Sequence, residues 1–163
     1  MSGGIFNMTK QNQLLKGFAD IYNKTIFLNK FKMELKLKEC KPSEVHCIEY
    51  IEKNSNSNVS KLADAFYMTR GAISKLTKKL IKKGYIESYQ KVDNNKEIYF
   101  KLTEQGSIIY KIHEELHKEF SDRDKLVFKN LTDEQFDIII NFVENYNKHL
   151  DIEIKNQNID NKI

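Results

Sequence analysis

The sequence predicts a mainly α-helical fold with one small β-hairpin. Three observations predict it: apolar residues recur at helical spacing over most of the 163 residues, one stretch alternates apolar and polar side chains, and the chain has one Pro and six Gly. Helical spacing buries one face of a helix, whereas alternation buries one face of a strand. The scarcity of Pro and Gly argues against collagen-like chains, linker-like chains and many-turned all-β folds.

The length and composition fit a globular protein. A chain of this length suits one domain or two small lobes that share a core. Hydrophobic residues make up 40% of the chain and charged residues 31%. The longest apolar runs, such as residues 138–140, are far shorter than the roughly 18 residues of a membrane helix. The first ten residues do not resemble a signal peptide, so we expect a cytoplasmic protein.

Helices account for the first half of the chain. A long periodic segment from about Lys10 to Leu37 predicts the first helix. Pro42 suits the first turn of a second helix, which ends in the polar run of residues 54–57. Asn58 caps a short third helix, and Thr69 is a good N-cap for a fourth helix that Gly84 closes.

The alternating stretch follows directly. Residues 85–91 are predicted to form one strand and residues 98–102 its antiparallel partner, with residues 92–97 as the loop between them. Two further helices follow from Thr103 onward, and the second of them starts at a capping box in residues 132–135. We therefore divide the chain into an N-terminal helix (1–40), a central lobe (41–103), two C-terminal helices (104–150) and a frayed tail (151–163).

Charge is distributed unevenly. Residues 1–57 carry nine Lys and six Asp or Glu, residues 58–101 carry ten Lys or Arg and four acids, and residues 104–163 carry eight Lys or Arg and thirteen acids. The central segment is therefore strongly basic although the net charge of the chain is only +4. A concentration of positive charge in one segment indicates that this segment binds a polyanion.

The order of elements in the central segment is a short helix, a turn, a longer helix and a hairpin. This is the pattern of a winged helix-turn-helix, here flanked by the first helix and the last two helices. The longer helix has six basic residues and no acid between residues 69 and 83. Such a helix fits the major groove, where its N-terminal residues reach the base edges. The candidate DNA-binding residues on it are Thr69, Arg70, Gly71, Ala72, Ser74, Lys75 and Lys78.

Four motifs in this order resemble the multiple-antibiotic-resistance regulator (MarR) family, and the similarity extends over roughly residues 10–150. The motifs are Leu62-Ala63-Asp64-Ala65-Phe66, residues 69–76 (TRGAISKL), residues 80–86 (LIKKGYI) and Leu102-Thr103-Glu104-Gln105-Gly106. The resemblance implies a homodimer held together by the first and last helices. It also implies two winged lobes that bind a near-palindromic operator in double-stranded DNA.

The chain departs from the family pattern in two places. The family's wing usually carries an Asp-x-Arg pair whose Arg enters the minor groove, but these positions hold Asn94 and Lys96, with Asp93 one residue early. Lys96 is therefore the candidate minor-groove residue, although lysine lacks the planar fork of arginine. The peroxide-sensing branch has a cysteine in the first helix, and this chain has none there.

Three histidines are candidate metal ligands. His113 and His117 are four residues apart on the fifth helix and therefore share a face. Together with His46 of the second helix, they resemble the pattern of the family's zinc-sensing branch, so zinc is a possible cofactor. In the alternative interpretation they are ordinary surface histidines.

An organic effector is another alternative, with Phe18, Tyr22 and Tyr50 lining its pocket.

The function expected from the sequence is a sequence-specific DNA-binding transcriptional regulator, a homodimeric repressor that a small molecule or metal relieves. The apolar stripe from Phe136 to Leu150 is too continuous to remain exposed in a monomer. No motif of an enzyme is visible. A winged-helix adaptor that binds protein and not DNA is the alternative of another class, and the basic fourth helix argues against it.

Cys40 and Cys47 are expected to be reduced, partly buried thiols; the alternative is an oxidant sensor or a metal ligand.

Overall fold

The computed structural model describes residues 9–92 and 94–160. It confirms a mainly helical fold with a small antiparallel sheet. The elements in chain order are α1 (Lys10–Lys36), α2 (Pro42–Lys53), β1 (Ser57–Asn58), α3 (Val59–Ala65), α4 (Arg70–Lys82), β2 (Ile86–Lys91), β3 (Asn94–Leu102), α5 (Glu104–Asp124) and α6 (Asp133–Asp160). A short 3-10 turn, Lys125–Phe128, precedes α6.

Local capping sets the beginning of several helices. The side chains of Thr9, Asn58 and Thr69 accept hydrogen bonds from the first-turn N–H groups of α1, α3 and α4, at 3.2, 2.9 and 3.2 Å. At α6, Thr132 and Gln135 exchange hydrogen bonds between side chain and backbone. These bonds satisfy N–H groups that have no partner within the helix. The predicted caps at residues 58, 69 and 132 are therefore confirmed.

The sheet has one strand more than predicted. Its order is β1-β3-β2, with Ser57 opposite Phe100 and Ile86 opposite Leu102. The predicted loop over residues 92–97 was wrong, because β3 begins at Asn94, which pairs with Lys91. The backbone ladder continues past the apolar residues that mark a strand in the sequence, and an irregularity between Tyr89 and Lys91 adjusts the register. Asp93 lies outside the described residues.

The chain divides into two compact units, one ending at Phe120 and one starting at Ser121. In the first unit the main core joins α2, α3, α4 and the sheet. Its fully buried aliphatic side chains are Ile48, Leu62, Ile73, Leu80 and Ile86. A second, smaller core of Leu37, Val45, Leu116 and Phe120 packs the C-terminal end of α1 against α2 and α5.

The second unit contains the 3-10 turn and α6. Phe128 stacks on Phe136 with ring centroids 6.0 Å apart. The helix continues to Asp160, ten residues beyond the predicted end at Leu150, because the apolar residues Ile152 and Ile154 extend its periodic pattern and no Gly or Pro interrupts it. Within the described residues, no helix combines the length and the apolar character needed to cross a membrane.

Candidate nucleic-acid interface

The turn between α3 and α4 is short and strained. Tyr67 has a positive φ of 51°, and the N–H of Met68 donates to the carbonyl of Ala63 at 3.0 Å. A positive φ is costly for a residue with a large side chain. Tyr67 nevertheless keeps this conformation with its side chain 63% exposed. The turn directs the chain into Thr69, the N-cap of α4.

One face of α4 is buried and the opposite face is available to a ligand. Ile73, Thr77 and Leu80 are buried on the inner face, and the Thr77 hydroxyl donates to the carbonyl of Ile73 at 3.1 Å. Seven of the eight sequence-predicted DNA-binding residues lie at the N-cap or on α4. Thr69, Arg70, Gly71, Lys75 and Lys78 are exposed, and Ala72 and Ser74 are half-buried.

Gly71 has no structural reason within the chain to be a glycine. A Cβ at this position would meet no protein atom closer than Thr69 Oγ1 at 4.0 Å, and the backbone does not have a positive φ. Glycine inside a helix lowers its stability by about 1 kcal/mol relative to alanine. A glycine that the fold does not require is consistent with close approach of a ligand to this turn of α4.

A carboxylate that sequence reasoning missed pairs with Lys79 of α4 and with Lys83, the C-cap residue of that helix. Glu44 in the first turn of α2 is 1% exposed, and its two carboxylate oxygens contact Lys79 Nζ at 2.6 Å and Lys83 Nζ at 2.7 Å. The N–H of Lys41 also donates to Glu44, at 2.8 Å. Burial opposes ionisation, but these hydrogen bonds outweigh it and lower the pKa of Glu44 to about 2. A glutamate at the third position of a helix signals the hydrogen bond with the Lys41 N–H, but not the contact with the two lysines.

The predicted wing residue Lys96 is exposed on β3. Its N–H donates to Asn94 Oδ1 at 3.2 Å, so Asn94 orders the backbone just before Lys96. Further along the strand, Glu97 accepts hydrogen bonds from the Tyr99 hydroxyl at 2.6 Å and from Asn58 Nδ2 at 3.3 Å. The wing is thereby joined to the N-terminus of α3.

The three candidate metal ligands lie side by side in the first unit. The ring centroids of His46 and His113 are 5.8 Å apart, and the Nε2 atoms of His113 and His117 are 2.9 Å apart. His46 and His117 are exposed, but His113 is 1% exposed, so it is not a surface histidine. Its Nδ1 has no hydrogen-bond partner among the described residues and lies 3.7 Å from Glu49 Oε2.

The electrostatics of this cluster disfavour a charged His113. Burial first, and the neighbouring His117 second, lower the pKa of His113 to about 4. A neutral imidazole is the form that binds a metal. However, no group of three or more His, Cys, Asp or Glu side chains in residues 9–92 and 94–160 is arranged to hold a metal ion. The metal site therefore stays a prediction.

The candidate effector residues occupy different surroundings. Phe18 lines an open hollow of about 490 Å³ along the N-terminal half of α1, together with Leu14 and Ile21. Tyr22 is 66% exposed on the same helix. Tyr50 instead packs edge-on against Phe66 beside the main core, with ring centroids 5.7 Å apart. Binding of an organic effector at these residues stays a prediction.

The two cysteines are free thiols. Cys47 is completely buried, and burial raises its pKa to about 12. Burial also raises the pKa of the half-buried Cys40, against the opposing effects of a hydrogen bond with Tyr85 and the charge of Lys83. Since the thiolate is the reactive form, both cysteines are poor nucleophiles.

A helix-turn-helix followed by a hairpin, with an exposed basic face on its second helix, defines a winged helix-turn-helix DNA-binding protein. A model of the MarR family matches residues 41–98. The HTH-type transcriptional regulator PchR of Bacillus subtilis (strain 168) is 32% identical, and the match covers 82% of this chain and 88% of PchR. The chain belongs to the MarR family and is a transcriptional regulator, not an enzyme.

Solved structures show the same fold. Streptococcus pneumoniae FabT in complex with DNA matches with a TM-score of 0.74 at 19% identity, covering 86% of this chain and 97% of FabT. A putative MarR family transcriptional regulator from Listeria monocytogenes, complexed with 26mer DNA, matches with a TM-score of 0.66 at 18% identity, covering 86% of this chain and 90% of that chain.

Proposed function

We propose that this protein is a homodimeric repressor that binds a near-palindromic operator through α4 and is released from it by a ligand. The observation that carries the proposal is the outer face of α4, which exposes Arg70, Lys75 and Lys78 beside a glycine that the fold does not require. An α-helix with such a face fits the major groove, where Arg and Lys bind guanine edges and phosphates. Both solved relatives described above contain DNA.

The wing supplies a second contact in this proposal. Lys96 is exposed, and its backbone is ordered by the Asn94 side chain. A cation at the tip of a wing is attracted to the negative potential of a narrow minor groove. Lysine acts there as a flexible point charge, so we assign it to affinity and not to base discrimination.

Unpaired apolar surface supports the dimer. In α6, Ile139, Ile140 and Val143 have 47%, 52% and 42% of their surface exposed in the single chain. In α1, Leu14 and Tyr22 are likewise exposed. Folded monomers rarely expose a stripe of large apolar side chains such as each of these helices carries. A symmetric dimer buries these faces and presents two copies of α4 to half-sites about one or two helical turns apart.

The test is selection of operators from random duplex DNA by the purified wild-type protein, with its mass measured in solution. We expect a dimer mass and enrichment of a motif with two inverted half-sites. The Arg70→Ala variant should enrich the motif weakly, whereas Arg123→Ala, the same change in the second unit, should enrich it as well as wild type does. A monomer mass at all concentrations, or no enriched motif, would contradict the proposal.

A zinc-responsive regulator is the second candidate, and the cluster of His46, His113 and His117 favours it. Three imidazoles with Glu49 nearby are a donor set that suits Zn²⁺, and the buried Nδ1 of His113 lacks a partner among the described residues. An ion held by His46, His113 and His117 would join α2 to α5. Metal binding changes the DNA affinity only to the extent that the metal binds the free protein and the DNA-bound protein with different affinities.

Zinc titration of the dimer separates this candidate from an organic effector. The wild type should bind zinc, and His113→Ala should lose it while still folding. If the wild type retains no zinc, or if the variant binds it equally well, the histidines are not a metal site. The operator selection, repeated with zinc and with a chelator, then shows whether the metal changes DNA affinity.

A further inference from the structure

The carboxylate of Glu44 joins the scaffold helix α2 to the recognition helix α4. It is buried, and each of its oxygens contacts a different lysine, Lys79 of α4 at 2.6 Å and the C-cap residue Lys83 at 2.7 Å. Residues four apart on a helix lie on the same face, so both ammonium groups reach one carboxylate. Lys83 also donates to the backbone carbonyl of Glu39 at 2.6 Å, which extends the contact to the segment before α2.

This ionic contact occupies only the C-terminal half of α4. The N-terminal half, which begins at the Thr69 cap, presents Arg70, Gly71 and Lys75 outward. A recognition helix reads bases with its N-terminal residues, so its opposite end has to be fixed by the rest of the protein. An ion pair with a buried partner is directional and is screened by salt less than an exposed one.

We infer that Glu44 is a positioning residue for DNA recognition: it fixes the C-terminal half of α4 on α2 and keeps Lys79 and Lys83 from contacting phosphates. The inference rests on the proposed function, because it requires that α4 binds DNA. Its consequence is that Glu44 raises the ratio of operator affinity to random-DNA affinity. It does so by fixing the angle of the helix and by reducing sequence-independent attraction.

The reduced sequence-independent attraction to DNA follows from charge. Six basic residues lie between residues 69 and 83, and two of them are ion-paired with the single negative charge of Glu44. Each additional lysine that contacts a phosphate raises non-specific affinity and steepens its dependence on salt by about 0.9 in the log–log slope. Lysines released from Glu44 add such contacts without reading a base.

The first test is Glu44→Gln, which removes the charge and keeps the shape. We expect its Kd for the selected operator to rise about tenfold, the order of one lost base contact. For a random duplex we expect unchanged or tighter binding, with a salt dependence steeper by about 1 to 2 because Lys79 and Lys83 become available. A change that merely loosened the fold would instead weaken both kinds of binding together. Equal loss on both duplexes with an unchanged slope would overturn the inference.

A matched pair of neutral variants tests the same point without altering Glu44. Lys78→Gln and Lys79→Gln are neighbouring residues with the same chemical change, but only Lys79 contacts Glu44. Lys78→Gln should reduce the salt slope on random duplex by about 0.9, and Lys79→Gln should leave it unchanged. Equal reductions would overturn the inference, and this result stands even if Glu44→Gln fails to fold in a thermal melt.

Failure of the proposed function gives a different result. If the wild-type protein does not distinguish its selected operator from random duplex, α4 does not recognise DNA and the proposed function fails. If the wild type does distinguish them but Glu44→Gln discriminates equally well, only the positioning role of Glu44 fails.

Discussion

Gly106, in the first turn of α5, lies directly against the carbonyl oxygen of Tyr85: a Cβ at Gly106 would be 1.9 Å from that oxygen. The same carbonyl accepts a hydrogen bond from the N–H of Thr103 at 3.1 Å. The Thr103 hydroxyl donates to the carbonyl of Gly84 at 2.6 Å and accepts from the N–H of Gly106 at 3.1 Å. The start of the wing and the start of α5 are therefore held together by backbone atoms and by the Thr103 hydroxyl.

Gly106→Ala should destabilise the protein. The neighbouring atom is backbone and cannot rotate away, so the methyl group forces α5 from Tyr85, at a cost of about 1–3 kcal/mol or more. Chemical denaturation monitored by circular dichroism measures the loss. Gly71→Ala is the matched control: its Cβ has free space in the first turn of α4, and we expect no loss and a gain of at most about 0.5–1 kcal/mol, the value for the middle of a helix. Equal stability of the two variants would contradict this prediction.

Arg70→Ala and Lys75→Ala should each weaken operator binding. If the lost contact is to a base, the expected cost is about 1–3 kcal/mol for the operator, with little change for random duplex. If it is to a phosphate, binding weakens equally for all sequences and the salt dependence becomes shallower. Fluorescence anisotropy on both duplexes at several salt concentrations separates these cases. No effect at either position would mean that the recognition face has been assigned incorrectly.

The stability of the protein should fall as the pH decreases from about 6.5 to about 4. His113 is buried with its pKa lowered to about 4, whereas in the unfolded chain it titrates near 6.5. Between these values the unfolded state binds a proton that the folded state does not, at a cost of at most about 1.4 kcal/mol per pH unit. Denaturation with a chelator present measures the slope. His113→Asn should flatten it, while His149→Asn, an exposed histidine, should not.

Tyr67→Gly should be more stable than Tyr67→Ala. A glycine variant is normally less stable than an alanine variant. At a φ of 51°, however, glycine avoids the steric cost of a Cβ, which is about 1–2 kcal/mol. Comparing two variants that both lack the ring isolates the backbone effect from any contact of the tyrosine side chain. Thermal unfolding of both variants checks the order, and a more stable alanine variant would mean that the turn relaxes.

Features that depend on neighbouring residues were predicted from the sequence, and features that depend on distant residues were not. Thr69 caps α4 through a residue three positions away, so its type and spacing were sufficient. Glu44 is 35 and 39 residues from the two lysines that it binds, and no local pattern marks that contact. The strand β1 was missed for the same reason, because its two residues pair with a segment more than 40 residues later.

The backbone conformation of Tyr67 and the burial of His113 were predicted less well than the types of the elements. The pattern of apolar residues on α4 gave its buried face, but it gave no sign that Tyr67 adopts a positive φ, since that residue is usually unfavourable there. Similarly, the spacing of His113 and His117 gave their shared face, whereas the burial of His113 depends on how α2 and α5 pack.

Asn58 joins the N-terminus of α3 to the sheet through both its side chain and its backbone. Its Oδ1 caps α3 and its Nδ2 donates to Glu97, while its backbone pairs with Tyr99 in the sheet. Separation of the wing would break the Nδ2 bond that orients this side chain as the cap of α3, so we expect the two elements to unfold as one cooperative unit. In native-state hydrogen exchange, the amide protons of Lys61 and Phe100 should report a common opening free energy, although they lie in different elements.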